Sequence, residues 1–321
     1  MILFSLPFQD LIYTVAENSE NSAVSFIDFN GQNQVNFYGQ IKNTESKLDV
    51  FNNFSVKDLP EFKNEDSIIN ESEYLAKVTD VIDFIHENEL KKLVFSRRKL
   101  INFKEIKLVE SFKNLRQNFP NALSYLFIKD ETCWIGAFSE ILGKYNKKTG
   151  IFETMSVAGT LPLSETWTNK EIEEQKTVTN YISDILKKYS ENVHQSETKD
   201  HISGNIKHLK TEFSLKIKPE NIENIIAELH PTPAVCGIPK EICKTAIQNF
   251  ENSNRELYAG YIKIETDEFL YYFVNLRCAK IYKESAILFV GGGITKDSNP
   301  QKEWRETELK AEAIAKNLVL L

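Results

Sequence analysis

Hydrophobic residues alternate with polar ones over many short runs of this chain, a spacing typical of β-strands. Within the first 60 residues, LIYTVA, AVSFIDF and VNFYG predict short strands, and the polar segment NTESKLDVFNNFSVKDLPEFKNEDSIINE then predicts loops. Alternation resumes in KLVFSR, LSYLFI, CWIGAF and FETMSVAG, and again in YAGYIKIE, FLYYFVNLRCAKIY and AILFV. Turn residues such as KYNKKTG separate neighbouring runs, which indicates antiparallel pairing.

Between the strand runs, hydrophobic residues recur at helical spacing. Helices are predicted at about residues 71–89, 104–118, 169–189 and 219–228, and a further helix closes the chain. Residues 191–204 are polar and are predicted to be exposed. Because strands come in runs with helices between them, we predict an α+β fold with large antiparallel sheets.

Composition narrows the class of protein. The 321 residues are 41% hydrophobic and carry a net charge of −7 without a long basic run, which disfavours nucleic acid as a partner. No GxGxxG follows a strand and no GxxxxGK[ST] occurs, which disfavours a dinucleotide or P-loop site. No stretch reaches the roughly 18 apolar residues of a membrane span, and no secretory signal begins the chain. Four cysteines without ligand spacing indicate reduced thiols, so we expect a cytoplasmic protein.

Candidate chemistry is densest in GGGITKDSNPQKEWRETELK, residues 291–310. A buried strand runs into three glycines and then into a helix. On that helix Glu303, Glu306 and Lys310 fall within an arc of about 60°. This cluster is either a solvated helix face or a site for a divalent cation and an anionic small molecule.

Glu174 heads an otherwise apolar stripe on the helix predicted at 169–189. A buried carboxylate is costly unless it is paired or bound to metal, although Glu174 could also lie near solvent in the first turn. Together with Glu306 it would form a hard oxygen site that suits Mg²⁺.

Two further residues lie where strands could fix them. Lys92 begins KLVFSR; it is either solvated or, if desolvated, able to act as a general base. Glu140 follows CWIGAF directly, either as a surface carboxylate or as a general acid with a raised pKa.

Arg277 lies within the apolar run NLRCAK, so it needs an anionic partner, structural or substrate. His230 precedes a Pro-Thr-Pro turn. A hydrogen-bonded structural histidine is the favoured interpretation there, with substrate binding as the alternative.

Taken together, the segments resemble the chorismate-utilising enzymes. The matching pieces are KLVFSR, WIGAFSEIL, SVAGT, KEIEEQKTV, LHPTPAVCGIP, RELYAGYI, LRCAKIY and GGGITKDSNPQKEWRETELK, in the family's order over residues 92–310. The resemblance implies a single large domain of two stacked antiparallel sheets with helices outside. Residues 1–70 would be short variable strands packing on the core, and 71–321 the chorismate-binding catalytic domain, in a monomer.

The resemblance also implies a site for chorismate and Mg²⁺. Glu174 and Glu306 match the metal ligands, with Glu303 supporting them through water. Arg277, Lys310 and the backbone of Gly291, Gly292 and Gly293 would hold the enolpyruvyl carboxylate. The turn Ala158, Gly159 and Thr160 would contact the ring carboxylate and the metal, and His230 is included among the substrate-binding candidates.

Two positions of the family pattern separate its reactions. Ala158 replaces the nucleophilic lysine of aminodeoxychorismate synthase, and Lys92 stands where anthranilate synthase has an amide. Lys92 with Glu140 resembles the isochorismate synthase pair. The implied reaction adds water at C2 with neutral Lys92 as base, and removes the C4 hydroxyl with Glu140 as acid. The product is predicted to serve menaquinone biosynthesis, with catechol siderophores as the alternative.

The chain departs from the family pattern at three places. Phe138-Ser139 replaces Ser-Pro before Glu140, Gln175 replaces the histidine after Glu174, and Lys263 stands where glycine is common. These departures leave open a catalytically silent chorismate-binding homologue. The other alternative is a salicylate synthase, which has the same lysine and acid but also eliminates pyruvate.

Overall fold

The computed structural model describes residues 1–17, 21–44, 48, 56–64, 67–203, 206–251 and 253–321. The strands in these residues are β1 (Ile2–Ser5), β2 (Tyr13–Ala16), β3 (Ser22–Ile27), β4 (Gln34–Tyr38), β5 (Gln40–Asn43), β6 (Lys92–Asn102), β7 (Ile106–Lys107), β8 (Leu123–Lys129), β9 (Thr132–Phe138), β10 (Ile141–Asn146), β11 (Ile151–Pro162), β12 (His194–Gln195), β13 (Lys199–Ser203), β14 (Ile206–Lys216), β15 (Gly237–Ile238), β16 (Tyr261–Glu265), β17 (Phe269–Val274), β18 (Cys278–Ile281), β19 (Ser285–Ile294) and β20 (Val319–Leu320). The α-helices are α1 (Glu71–Glu87), α2 (Leu108–Asn118), α3 (Asn169–Leu186), α4 (Ile222–Leu229), α5 (Lys240–Phe250) and α6 (Pro300–Ala315).

Two large antiparallel sheets form the domain. The first has the strand order β15-β6-β19-β18-β9-β8-β1-β2-β5. The second has the order β12-β14-β11-β10-β17-β16-β3-β4, and β13 adds to β14. The prediction of an α+β fold with two large antiparallel sheets and helices is therefore confirmed.

The inner faces of the sheets pack against each other through aromatic rings. Phe26 of β3 lies 4.6 Å from Phe127 and 5.0 Å from Tyr125 of β8, measured between ring centroids. A second core covers the outer face of the first sheet, where α2 and α6 contribute Phe112 and Ile314. Burying rings of this size supplies the larger part of the stabilisation in such a core.

The N-terminal strands belong to the sheets themselves. β1 pairs with β8 in the first sheet, and β3 pairs with β16 in the second. Of the polar segment predicted to be loops, residues 45–47, 49–55, 65 and 66 lie outside the described residues. Across all the residues that the structure describes, no helix is both long and apolar enough to cross a bilayer.

Several elements differ from the sequence prediction. The single run at 269–282 is two strands, β17 and β18, because the chain bends at Arg277, where φ is 45°. The polar segment 191–204 contributes β12 and β13, which pair with β14. β14 and α5 were not predicted, since lysine, histidine and glutamate occupy many of their positions. The four cysteines are free and buried, as expected.

Candidate active site

Most of the predicted site residues meet in one cavity between the two sheets. The first sheet supplies β6 and β19, the second supplies β11 and β14, and α3 and α6 close the sides. The predicted residues that line it are Lys92, Glu140, Ala158, Gly159, Thr160, Glu174, Arg277, Gly291, Gly292, Gly293, Glu306 and Lys310.

His230 is placed elsewhere, and its assignment to substrate binding is corrected. Its Nε2 atom lies 3.1 Å from the carbonyl of Phe29, and its ring packs edge-on against Tyr261. Burial lowers the pKa of His230 to about 4, so the ring is neutral at physiological pH. These contacts fit the structural role that the Pro-Thr-Pro turn favoured.

Helix α6 is oriented by its contacts with β6. Asn299 caps the helix by accepting from the backbone N–H of Lys302. The guanidinium of Arg97 stacks 3.9 Å from the ring of Trp304 and donates to the Thr307 hydroxyl at 2.9 Å. Such a buried cation–π contact contributes about 2 kcal/mol. It fixes the rotation of the helix that carries Glu303, Glu306 and Lys310.

Three carboxylates lie beside the glycines of β19, with Glu174 and Glu306 in the cavity lining and Glu303 just outside it. Each is paired with a lysine at 2.7 Å, measured from Nζ to Oε1. The pairs are Lys92 with Glu174, Lys170 with Glu303, and Lys310 with Glu306. The side chain of Glu174 is only 9% exposed. Burial opposes its ionisation, but the charges of Lys92 and Lys170 outweigh burial and lower the pKa of Glu174.

These carboxylates fit a magnesium ion. Oε2 of Glu303 is buried without a hydrogen-bond partner, and burial together with the charge of Glu306 raises the pKa of Glu303 to about 7. An unsatisfied buried oxygen beside a second carboxylate is a place where a cation lowers the free energy. The part of the chain that the structure describes contains no cluster of three His, Cys, Asp or Glu ligands. Few protein oxygens suit Mg²⁺, which keeps waters and substrate oxygens as ligands.

The three glycines of β19 leave room for this arrangement. A Cβ atom at Gly293 would lie 2.4 Å from Cε of Lys92 and 2.7 Å from Oε1 of Glu174. The neighbours of Gly291 and Gly293 on β6 are Ser96 and Val94, whose N–H groups bond away from β19. These are therefore non-hydrogen-bonded pairs, so the N–H groups of both glycines point away from β6. The cradle for an anion predicted from the glycines fits this geometry.

A bulge shapes the second wall. The register of β11 against β14 shifts between Ala158 and Thr160, and Gly159 adopts a φ of +69°. The carbonyl of Gly159 and the hydroxyl of Thr160 both lie 3.1 Å from Nδ1 of His208. Nε2 of His208 lies 3.1 Å from a guanidinium nitrogen of Arg277, which can only donate. His208 is therefore neutral with its proton on Nδ1, in agreement with burial, which lowers its pKa.

Glu140 lines the same cavity without a lysine contact among the ion pairs of the described residues, and its surroundings form the acid end of the cavity, whereas the lysine-paired carboxylates form the charged end. Glu140 is 9% exposed and follows β9, as predicted. Burial raises the pKa of Glu140 to about 7, and the charges of Lys92, Lys310 and Arg277 offset burial only in part. A carboxyl group with this pKa can donate a proton at neutral pH.

Sequence analysis assigned no role in the site to four polar residues that line the cavity: Ser139, His201, His208 and Tyr258. Both histidines lie on the strands β13 and β14. The alternation of Leu209, Phe213 and Leu215 with polar residues could have revealed β14.

Two departures from the family pattern lie outside the cavity lining. Lys263 of β16 pairs with Glu223 at 2.6 Å and does not line the cavity. Gln175 is buried and its amide nitrogen lies 3.0 Å from the hydroxyl of Ser156, which joins α3 to β11.

The geometry agrees with what sequence comparison finds. A profile of chorismate binding enzymes matches residues 9–319. The chain belongs to the chorismate binding enzyme family. The match includes every residue of the cavity and all strands of the two large sheets except β1.

Similar proteins include several isochorismate synthases. Isochorismate synthase 2, chloroplastic, of Arabidopsis thaliana is 38% identical over 115 residues, which are 35% of this chain and 20% of that protein. The vibriobactin-specific isochorismate synthase of Vibrio cholerae is 26% identical over 260 residues, covering 75% of this chain and 65% of that protein. The chain thus spans less than two thirds of either relative. MenF, the menaquinone-specific isochorismate synthase from Escherichia coli, shares the fold, with a TM-score of 0.78 over 98% of this chain and 88% of that chain at 17% identity.

Proposed function

We propose that this member of the chorismate binding enzyme family is an isochorismate synthase that converts chorismate to isochorismate with the help of Mg²⁺. The observation that carries the proposal is the placement of Lys92 and Glu140 in one cavity, with the pKa of Glu140 raised to about 7 by burial. A base and a protonated acid in one site are what an exchange of a hydroxyl group across a ring requires. The names of the similar proteins support the same choice.

Lys92, in its neutral form, takes a proton from water while the water oxygen bonds to C2 of the ring. The ring double bonds shift, and the C4–O bond breaks as Glu140 donates its proton to the departing hydroxyl. Water enters and water leaves, so the reaction is an isomerisation. Because only a neutral amine accepts a proton, the ion pair between Lys92 and Glu174 has to be given up first.

Arg277 and Lys310 would bind a carboxylate of chorismate. Both line the cavity, and Lys310 is already oriented because its Nζ donates to the carbonyl of Gly291 at 2.9 Å. Glu174 and Glu306 would hold the magnesium ion, with Glu303 beside them. When bound, the ion supplies positive charge that neutralises the ring carboxylate of the substrate and orients the ring.

The decisive experiment resolves the products formed from chorismate by the purified protein in the presence of Mg²⁺. We expect isochorismate without salicylate or pyruvate. Salicylate with pyruvate would make the protein a salicylate synthase, and anthranilate formed with ammonia would contradict both activities. Turnover no faster than that of Lys92→Ala and Glu140→Ala variants would mean that the protein only binds chorismate.

We propose menaquinone biosynthesis as the destination of the product. Similar proteins are named for menaquinone and for the siderophore vibriobactin, so both products must be measured. A strain that lacks the gene should lose menaquinone and keep its catechol siderophores. The reverse loss would assign the enzyme to the siderophore pathway.

A further inference from the structure

A hydrogen bond crosses the cavity beside Glu140. The hydroxyl of Ser139 lies 2.9 Å from Nε2 of His201, and both side chains line the cavity. Ser139 follows β9 of the first sheet, whereas His201 belongs to β13 of the second sheet. The bond therefore links the two sheets at the residue directly before Glu140.

The segment that carries Glu140 is fixed on its other side by the backbone. The N–H of Val274 donates to the carbonyl of Glu140 at 3.0 Å, which holds the segment to β17. This contact fixes the main chain at Glu140, whereas the hydrogen bond to His201 fixes the residue directly before it. Proline, which is usual at position 139 in the resembling enzymes, would restrict that residue covalently. Serine has no such restriction.

We propose that the hydrogen bond between Ser139 and His201 positions Glu140 as the general acid. The inference rests on the proposed isochorismate synthase activity and adds two positioning residues to it. Neither Ser139 nor His201 donates a proton to the substrate. They keep the carboxyl group of Glu140 buried and directed at the departing hydroxyl.

The surroundings of His201 keep its imidazole ring in one protonation state. Burial, together with the nearby charges of Lys210 and Arg277, lowers the pKa of His201 to about 4, against the opposing charge of Glu212. The nearby ring of His208 is neutral as well. His201 is therefore uncharged throughout the neutral range, and the bond does not break when the pH changes there.

The same bond limits hydration of Glu140. Its carboxyl group is faced by the cations Lys92, Lys310 and Arg277 and by the hydroxyl of Tyr258, and burial is the larger influence on its pKa. If the segment loosens, water enters, burial weakens and the cations dominate. The pKa of Glu140 then falls, so its carboxyl group loses its proton at a lower pH.

The test compares Ser139→Ala, His201→Phe and the double variant in isochorismate formation between pH 5.5 and 9. We expect kcat to fall about tenfold in each single variant, part of the 10²–10⁴-fold that a positioned acid contributes, with KM changed less than twofold. The double variant should be no slower than either single one, because both lose the same bond. The pH at which kcat declines should move down in all three. Ser139→Thr keeps a hydroxyl, so its kcat and pH profile should match those of the wild-type protein.

His194→Ala is the matched control, since His194 also lies on a strand paired with β14 but does not line the cavity. It should leave kcat and the pH profile unchanged. Additive losses in the double variant, or a loss in His201→Phe alone, would overturn the proposal, because His201 would then act directly on the substrate. An unchanged pH profile in Ser139→Ala would overturn it as well.

Amide hydrogen exchange separates this inference from the proposed activity. Peptides covering residues 138–141 should exchange faster in Ser139→Ala and His201→Phe, and by similar amounts. If the wild-type protein makes no isochorismate but the exchange rates of both variants rise together, the link between the sheets is supported and the proposed activity is refuted. Unchanged exchange would refute the link whatever product is formed.

Discussion

The charged end and the acid end of the cavity differ in how their carboxyl groups are paired. At the charged end, Glu174, Glu303 and Glu306 each contact a lysine at 2.7 Å. At the acid end, Glu140 has no carboxylate–lysine contact of this kind among the ion pairs of the described residues, and the charges of Lys92, Lys310 and Arg277 only partly offset its burial. The first end is suited to a cation and an anionic substrate, whereas the second can keep a carboxylic acid protonated.

Two glutamates show what produces the difference. Glu174 and Glu140 are both about 9% exposed, yet the pKa of Glu174 is lowered and that of Glu140 is raised. Lys92 contacts Glu174 directly, while at Glu140 burial outweighs the more distant cations. Burial alone therefore does not decide the protonation state, because the neighbouring charges act with it or against it. Glu303 shows the balance: it contacts Lys170, but burial and the charge of Glu306 still raise its pKa to about 7. When the pKa values of two carboxyl groups in one site are shifted in opposite directions, the two groups typically have different roles in catalysis.

The largest expected effect comes from removing the acid. Glu140→Gln keeps the shape and a donor amide but has no acidic proton, so kcat for isochorismate formation should fall by at least about 10²-fold. Steady-state kinetics with product analysis measures it. Glu223→Gln, a surface change, is the control and should leave kcat unaltered. A Glu140→Gln enzyme with wild-type kcat would remove the catalytic distinction between the two ends.

The second prediction concerns the metal. Glu306→Gln should abolish the magnesium dependence of turnover and weaken Mg²⁺ binding in calorimetry, because it removes one of few oxygen ligands. Glu312→Gln lies on the same helix, where Glu312 pairs with Lys316 near the surface, and should bind Mg²⁺ normally. Equal binding by both variants would show that the charged end does not hold the ion.

The contrast between the ends also decides how much of the site was predictable from sequence. The α6 face was predictable because Glu303, Glu306 and Lys310 recur at helical spacing within one segment. The acid end was only partly predictable. Glu140 follows a recognisable strand, but the Ser139–His201 pair joins residues 62 positions apart on different sheets. Local periodicity carries no information on such a pairing.

The bend at Arg277 limited the prediction for another reason. Residues 269–282 have the composition of one long strand, yet Arg277 adopts a φ of 45° in the bend that separates β17 from β18. A non-glycine residue in this region is held there by its surroundings rather than by its own preference. The side chain of Arg277 reaches His208 from this bend, which no spacing in the sequence indicates.

The third prediction is an opposite effect of two substitutions on stability in magnesium-free buffer. The folded-state pKa of Glu140 is raised from 4.5 to about 7, so its contribution to stability is present below pH 4.5 and is lost as pH rises through 7. The difference in the free energy of unfolding between Glu140→Gln and the wild-type protein should therefore shift in favour of the variant between pH 4.5 and pH 8, by on the order of 3 kcal/mol.

Glu174→Gln should behave in the reverse way. The folded-state pKa of Glu174 is lowered, so its contribution is present above pH 4.5 and is lost as pH falls through the folded-state value. This variant should be destabilised at pH 8, where it leaves Lys92 buried without its partner, and the loss should shrink in acid. Urea unfolding at both pH values measures the two effects. Changes of the same sign would show that burial alone governs both carboxyl groups.

The smallest expected effect lies outside both ends. Lys263→Gly restores the residue that is common in the resembling enzymes, but Lys263 points to Glu223 and does not line the cavity. We expect kcat and KM to stay within about twofold. The free energy of unfolding should fall by roughly 1 kcal/mol, because glycine weakens a strand and the ion pair is lost.

Gly293→Ala is the contrasting variant: its Cβ would lie 2.4 Å from Cε of Lys92 and 2.7 Å from Oε1 of Glu174, so activity should fall sharply. If Lys263→Gly changed the products while Gly293→Ala did not, the reacting ring would lie nearer to β16 than to β19, and the division of the cavity into a charged end and an acid end would have to be redrawn.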